Sequence, residues 1–196
     1  MLALLLFEVI LRKGSKAMAQ VYLSLGSNCQ REQHLSNALD RLNERFGELV
    51  VSPVYQSSAT TLADAQGSPI ADYYNLVVGL TCDISPCELV NWNRQLEACE
   101  DRRRPDNGRV TLDVDLLLYD NLCMSEGEIV LPGADILTRA YVLRPLADIA
   151  GAHCYPATEN TYQTLWEHFA KKPLLTPVDF VWGERVISTA AIGLML

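Results

Sequence analysis

The segment Arg109-Val110-Thr111-Leu112-Asp113-Val114-Asp115-Leu116-Leu117-Leu118-Tyr119 constrains the fold more than any other stretch of the chain. Its apolar residues alternate, the period of a strand with one face buried. In that reading Val110, Leu112, Val114, Leu116 and Leu118 share one face, and Arg109, Thr111, Asp113 and Asp115 share the other. The two aspartates then project side by side, ~6.6 Å apart at the backbone. Like charges set together on an apolar strand cost stability unless a cation or a donor compensates. Magnesium on a nucleotide's phosphates is one such compensation, since it takes oxygen ligands and commonly only one or two carboxylates. A solvated strand face is the other reading of the same spacing.

Arg102, Arg103, Arg104 and Arg109 fall within eight residues of a chain whose formal charge is −8. Non-specific nucleic-acid binding needs a broad basic surface, which this balance argues against. A local arginine cluster beside paired acids fits a small polyanion instead, because guanidinium forks grip phosphate oxygens. Cations at the negative end of a helix explain Arg102 to Arg104 equally well, but not Arg109.

At 196 residues with 49% hydrophobic content, the chain suits one buried core and one domain with extensions. Cys29, Cys82, Cys87, Cys99, Cys123 and Cys154 include no C-x-x-C pair and no usual zinc spacing. They are expected reduced and mostly buried, in a cytoplasmic protein without disulfides. His34, His153 and His168 are too scattered for a metal cluster or a triad. Residues 2–11 are apolar but lack a basic start, contain Glu8 and fall far short of a membrane span. Residues 1–17 read as a mis-assigned upstream start or a dispensable extension before Met18.

Gln20 to Leu25 reads as a strand ending in a Gly26-Ser27-Asn28 turn that offers helix caps. Leu35, Ala38, Leu39, Leu42 and Phe46 recur at helical spacing. Glu48 to Gln56 is expected as a second strand, with Pro53 marking an edge or a bulge. Residues 57–71 read as a long loop, a kind usually functional or disordered. Tyr73 to Cys82 is a third strand. Ser85-Pro86-Cys87-Glu88 is a capping box with proline at the first helical position. The helix it opens should run to about Asp101 and carry Leu89, Trp92, Leu96 and Cys99 inward, Trp92 as packing.

A hairpin across residues 121–131 turning near Ser125-Glu126-Gly127, helical turns at 135–149 and a helix at 161–171 should follow the acid-bearing strand. The order β-α-β-β-α-β is that of an α+β, ferredoxin-like fold, an antiparallel sheet with helices on one face. The expected domain spans residues 18–172. Residues 173–196 are left to cover a sheet edge, join a dimer contact or stay partly disordered.

Four pieces stand in order over about residues 20–170: Tyr22 to Asn28, Asp72-Tyr73-Tyr74-Asn75, Thr111 to Tyr119, and Leu131-Pro132 through Arg139-Ala140-Tyr141 to Leu146. Together they resemble the 6-hydroxymethyl-7,8-dihydropterin pyrophosphokinase family. The resemblance implies a ferredoxin-like core with helices on both faces, and ATP with two magnesium ions. It implies transfer of pyrophosphate from ATP to the pterin's hydroxymethyl group, with release of AMP, in folate biosynthesis. Asp113 and Asp115 would then hold the ions that bridge the ATP phosphates, a pairing the strand geometry allows. Asn75 matches the residue on the pterin's amide edge, Tyr141 the stacking aromatic, and Tyr73 a further wall. Glu97, Thr111 and Arg139 match positions near the nucleotide; Arg102, Arg104 and Arg109 fall in the region of its phosphate-contacting arginines. Without the resemblance, core packing for Tyr141 and strand-end capping for Asn75 are the plainer readings. The implied partners are ATP and a pterin, with no nucleic acid or membrane, for a monomer or weak homodimer.

Three departures stand out. The family reads Arg-aromatic-Gly-Pro-Arg before Thr-Leu-Asp, where this chain has Asp106-Asn107-Gly108-Arg109-Val110. On a continuous strand Arg109 would still share the acids' face. The histidine and polar or aromatic residue expected after Pro132 are Gly133 and Ala134, and Ser57-Ser58 lacks a Thr-x-Pro pattern. Such losses cost several kcal/mol of binding or transition-state stabilisation unless something substitutes. The rival readings are a paralogue acting on another pterin-like alcohol, a non-catalytic nucleotide- or pterin-binding module, and a generic interaction domain.

Overall fold

The computed structural model describes residues 18–58, 71–100, 108–170 and 174–190. In chain order its first elements are β1 (Ala19–Ser27), α1 (Arg31–Phe46), β2 (Val50–Val51), β3 (Tyr55–Ser57), β4 (Tyr73–Cys82), α2 (Pro86–Cys99) and β5 (Asp113–Tyr119). After them come β6 (Met124–Glu126), β7 (Ile129–Leu131), α3 (Asp135–Thr138), α4 (Ala140–Ala150), α5 (Tyr162–Glu167), β8 (Thr176–Pro177), β9 (Phe180–Trp182) and β10 (Arg185–Ser188).

Strand β1 lies inside the sheet because its residues are buried on both faces, Leu23 and Leu25 toward one core, Tyr22 toward the other. It pairs antiparallel with β4 on one side and β5 on the other. Strands β2 and β3 both pair with β4, so the main strands run in the order fourth, first, third, second. That is the ferredoxin-like α+β arrangement. Pro53 splits the expected second strand. There Ser52 donates its amide to the Val77 carbonyl (3.0 Å), and its hydroxyl accepts from the Val77 amide (2.9 Å).

Helices cover both faces, as the resemblance implies, and not only the one face expected from element order alone. Helices α1 and α2 pack on Val21, Leu23, Leu25 and Val78, while α4 and α5 pack on Tyr22, Val77, Leu117 and Leu118. A β-bulge adds to the second apolar face. The β1–β5 register shifts between Tyr22 and Leu23, which pair with Leu118 and Leu116, so Leu117 and Leu118 both reach the second core. Strict alternation along the segment therefore fails beyond Leu116.

The capping box at Ser85 and Glu88 forms as expected, with Pro86 opening α2. Trp92 packs edge-on against Phe46, ring centroids 5.1 Å apart. The inward positions of α2 are Leu89, Asn93, Leu96 and Glu97, and Cys99 is exposed. Only Cys29 and Cys82 of the six free cysteines are buried, so the expectation of mostly buried thiols fails. Gly26 and Ser27 stay in β1. The turn comes later, where Gln30 has φ 44°, and no side chain caps α1. Beyond residue 173, β8 adds to the β3 edge, and Phe180 and Trp182 enter the first core. Trp182 Nε1 donates to Asp40 Oδ1 at 2.7 Å. No helix among the described residues is long and apolar enough to cross a membrane.

Strand β3 is tied to α4 through Tyr55, whose hydroxyl donates to Asp148 Oδ2 at 2.7 Å and accepts from Arg144 Nε at 3.1 Å. Burial, and secondarily Asp148, push the Tyr55 phenol up to about 12. A folded pKa above the ordinary phenol value of 10.0 adds stability that is whole below pH 10.0 and lost as pH rises through about 12. Tyr55→Phe is expected to cost about 1 kcal/mol at neutral pH. It should also flatten the decline in stability between pH 10.0 and about 12, as read from urea melts across that window.

Candidate active site

Strand β5 begins at Asp113 and not at Arg109, because the residues before it are held from the side. Asn28 Nδ2 donates to the Gly108 carbonyl (2.9 Å), Asn28 Oδ1 accepts from the Val110 amide (2.6 Å), and the Asn28 amide donates to the Val110 carbonyl (3.0 Å). Arg109 therefore leaves the aspartates' face. Its exposed guanidinium donates to Cys29 Sγ at 2.7 Å. Thr111 sits in the bend with its hydroxyl oxygen buried and unpartnered.

Once in the sheet, Asp113 stands opposite Gly26 of β1, and Gly26 stands opposite Asn75 of β4. One cross-strand row thus carries an acid, a gap and an amide, with neighbouring strands about 4.8 Å apart. The next row on that face carries Asp115, Ser24 and Val77. Glycine keeps the middle open: a Cβ at Gly26 would lie 3.3 Å from Asn75 Oδ1 and 3.9 Å from the Tyr73 ring. Asn75 is 4% exposed, and its Nδ2 donates to Ser57 Oγ at 2.9 Å. Half-buried Tyr141, on α4, faces the same region. Burial raises its phenol pKa, Arg139 opposes the rise, and Asp135, Asp113 and Asp115 add to it. The ring is therefore within electrostatic reach of both acids.

Two cavities flank this row. The first, about 680 Å³, runs along β5 from Asp113 to Leu117, which is the sheet's edge strand. Its far wall is the α2 stripe Val90, Asn93, Arg94 and Glu97, and Gly133 and Asp135 complete it. Arg94 pairs with Glu128 near the mouth. Glu97 Oε1 accepts from the Val114 amide at 2.8 Å, locking α2 to β5 between the two aspartates. The second cavity, about 690 Å³, is more apolar and is lined by Ser57, Arg139, Tyr141, Leu165 and Phe169. Both are of mononucleotide or heterocycle size.

Asp113, Asp115 and Glu97 thus meet at the first cavity, and Tyr141 and Arg139 at the second. Asn75 connects to the second through Ser57, with Tyr73 on the same strand face. Arg139 is exposed, its Nε 3.7 Å from Asp135. Arg102 and Arg104 lie outside the described residues, as does most of the 57–71 loop. Gly133 donates its amide to the Leu117 carbonyl at 2.8 Å, and a Cβ there would lie 3.3 Å from Leu116 O and Leu117 Cα. Sequence reasoning missed Asn28 and Asn93. The signal for Asn93 was its place in the apolar stripe with Leu89 and Leu96.

The class so defined is a ferredoxin-like α+β domain with paired acids beside a nucleotide-sized cavity on an open sheet edge. Residues 22–151 match the family model of 7,8-dihydro-6-hydroxymethylpterin-pyrophosphokinase (HPPK). The 2-amino-4-hydroxy-6-hydroxymethyldihydropteridine pyrophosphokinase of Pseudomonas aeruginosa is 32% identical, over 67% of this chain and 80% of its own length. The bifunctional protein FolKE of Lactococcus lactis is 27% identical over 67% of this chain, which spans only 38% of that protein. The wild-type HPPK-DHPS of Plasmodium falciparum, solved with pterin and p-hydroxybenzoate, shares the fold with a TM-score of 0.65 at 14% identity. That match covers 92% of this chain and 50% of the other. The chain belongs to the HPPK family.

Removing the Asn28 clamp should be visible locally. Asn28→Ala leaves two backbone groups without partners and is expected to cost about 2 kcal/mol. The Val110 amide should exchange faster with deuterium than in the unaltered protein, while the β1–β4 ladder keeps its protection.

Proposed function

We propose that this chain transfers pyrophosphate from ATP to the hydroxymethyl group of 6-hydroxymethyl-7,8-dihydropterin and releases AMP, a step of folate biosynthesis. The observation that carries the reading is the row Asp113, Gly26, Asn75, which sets an acid and an amide on one sheet face with open space between them. Family membership supports the chemistry.

Asp113 and Asp115 fit a magnesium site, since two carboxylates two residues apart on an edge strand leave the remaining positions for phosphate oxygens. When bound, magnesium (two ions in our reading) supplies neutralisation of triphosphate charge. The protein's own part is mainly orientation. Asn75 holds the amide edge of the pterin, Tyr141 covers its ring, and Tyr73 walls the same face. Arg102 and Arg104 are assigned to the phosphates, Arg109 joins them only on leaving Cys29, and Glu97, Thr111 and Arg139 border the nucleotide. The hydroxymethyl oxygen attacks the β-phosphorus in line, the bond from that phosphorus to the α–β bridging oxygen breaks, and AMP leaves with it. The hydroxyl proton passes to solvent.

A second reading, a binding module with little turnover, is favoured by one observation. Gly133 lies against the β5 backbone with no side chain to offer a phosphate. Calorimetry with a non-hydrolysable ATP analogue and magnesium, set beside an AMP-release assay, separates the two. Binding without AMP would favour the module.

Asp113→Asn and Asp115→Asn are each expected to lower AMP release by at least ~100-fold while leaving the melting temperature within about 4 °C. A near-normal rate in either variant would remove the metal assignment. Arg109→Ala should raise the KM for ATP by about tenfold and leave pterin affinity unchanged in calorimetry. Equal losses for both ligands would show that Arg109 has another task.

A further inference from the structure

A third cavity, of about 390 Å³, lies apart from the two that flank the acids, and its walls include Gln20, Tyr22, Leu118, Asp120, His153 and Tyr162. Asp120 follows the end of β5, roughly 20 Å along the strand from Asp113. Tyr22 shares a face of β1 with Gly26. The amide of His153 donates to the carbonyl of Ala150, the last residue of α4, whose first turn carries Tyr141. The cavity thus occupies the far end of the same sheet face, beyond the C-terminal end of α4.

Its polar groups are acceptors left over once the internal bonds are made. Tyr22 and His153 satisfy each other, hydroxyl to Nδ1 at 3.2 Å with the rings edge to face. Gln20 Nε2 donates to the Leu80 carbonyl at 3.3 Å, which leaves Oε1 to accept. Asp120 Oδ1 accepts from the Gln20 amide, which leaves Oδ2. Tyr162 is 2% exposed, its ring edge-on to Tyr155, and its hydroxyl has no hydrogen-bond partner among the described residues. Burial raises its phenol pKa, and Tyr155, Tyr22 and Cys154 add to the rise, so the hydroxyl stays protonated and within electrostatic reach of the cavity's walls. A hydroxyl buried without a partner is costly, and native interiors rarely keep one without a reason.

Charge selects the occupant. The Asp120 carboxylate is on the wall, and neither lysine nor arginine is among the described residues that line it. The last turn of α4 holds no basic side chain, so the negative end of its dipole is left for a ligand to answer. An ammonium group carries three donors and no acceptor. We propose that this cavity binds a primary ammonium carried on a small organic body, the nitrogen donating to Asp120, Gln20 Oε1 and the Tyr162 hydroxyl oxygen. Tyr22, Leu118 and the Tyr162 ring wall the body. The site is separate from the transfer reaction proposed above and does not rest on it.

The probe is benzylammonium, with benzyl alcohol as its neutral counterpart, titrated at constant ionic strength into the isotope-labelled chain and followed by amide NMR. The amide signals of Gln20, Asp120 and His153 should shift saturably with benzylammonium, and the alcohol should bind at least ~10-fold more weakly. Asp120→Asn and Tyr162→Phe should each weaken benzylammonium by about tenfold. Asparagine tolerates the φ of 47° at Asp120 and keeps an oxygen for the Gln20 amide, and phenylalanine removes only the unpartnered hydroxyl. Should Tyr162→Phe not fold, Asp120→Asn carries the test. Equal affinity for the two probes, unchanged affinity in either folded variant, or no saturable shift at these residues overturns the assignment.

Discussion

The registration of β5 against β1 is the constraint on which the site depends. A one-residue slip in a strand sends every side chain to the opposite face. Here it would turn Asp113 and Asp115 toward α2 and away from Tyr141 and Asn75. The pairing is held at both ends by side chains outside the ladder. Asn28 grips residues 108 and 110 before the strand starts. After it ends, Asp120 Oδ1 accepts from the Gln20 amide at 2.8 Å, and the Asp120 amide donates to the Gln20 carbonyl at 2.7 Å. Between these pins the ladder absorbs its one irregularity, the bulge at Leu117, on the far side of the aspartates.

The central sheet was legible wherever local chemistry and tertiary packing agreed. Tyr73 to Cys82 is strand over the whole expected span because it pairs on both sides and is buried through its middle. The Ser85–Glu88 box forms because its partners are three residues apart and need nothing distant. The acid pair was legible for a similar reason, since a spacing of two survives any shift in where the strand begins. Long-range side chains were not legible. Alternation alone would run the strand back to Arg109, and nothing near Arg109 announces that Asn28, some eighty residues earlier, holds that stretch out of the sheet. Alternation also hid the bulge, and with it the arrival of Leu118 beside Leu117 on the face that α4 and α5 cover.

Helix α2 shows a related limit. Its apolar residues predicted an inward set that included Cys99. The observed set replaces Cys99 with Glu97 and Asn93, polar residues whose burial makes sense only beside the β5 edge. Glu97 is satisfied by a strand amide and doubles as the bolt between helix and sheet. Family resemblance implied a place for it beside a nucleotide, but not this mechanical duty. Gly133 is the converse case. Its backbone comes so near Leu116 and Leu117 that the missing side chain is part of how the turn packs.

The two rims of the sheet are treated differently. At the β3 rim, Thr176 and Pro177 lie alongside Gln56 and Tyr55, and the hairpin beyond them buries Phe180 and Trp182. An uncovered rim would offer bare amides and carbonyls to any passing chain. Capping it with the protein's own tail, where proline presents no donor, removes that template for intermolecular stacking. At the opposite rim, where Glu97 takes the Val114 amide and Gly133 the Leu117 carbonyl, a side chain and a turn do that work, and among the described residues no further strand joins the sheet there.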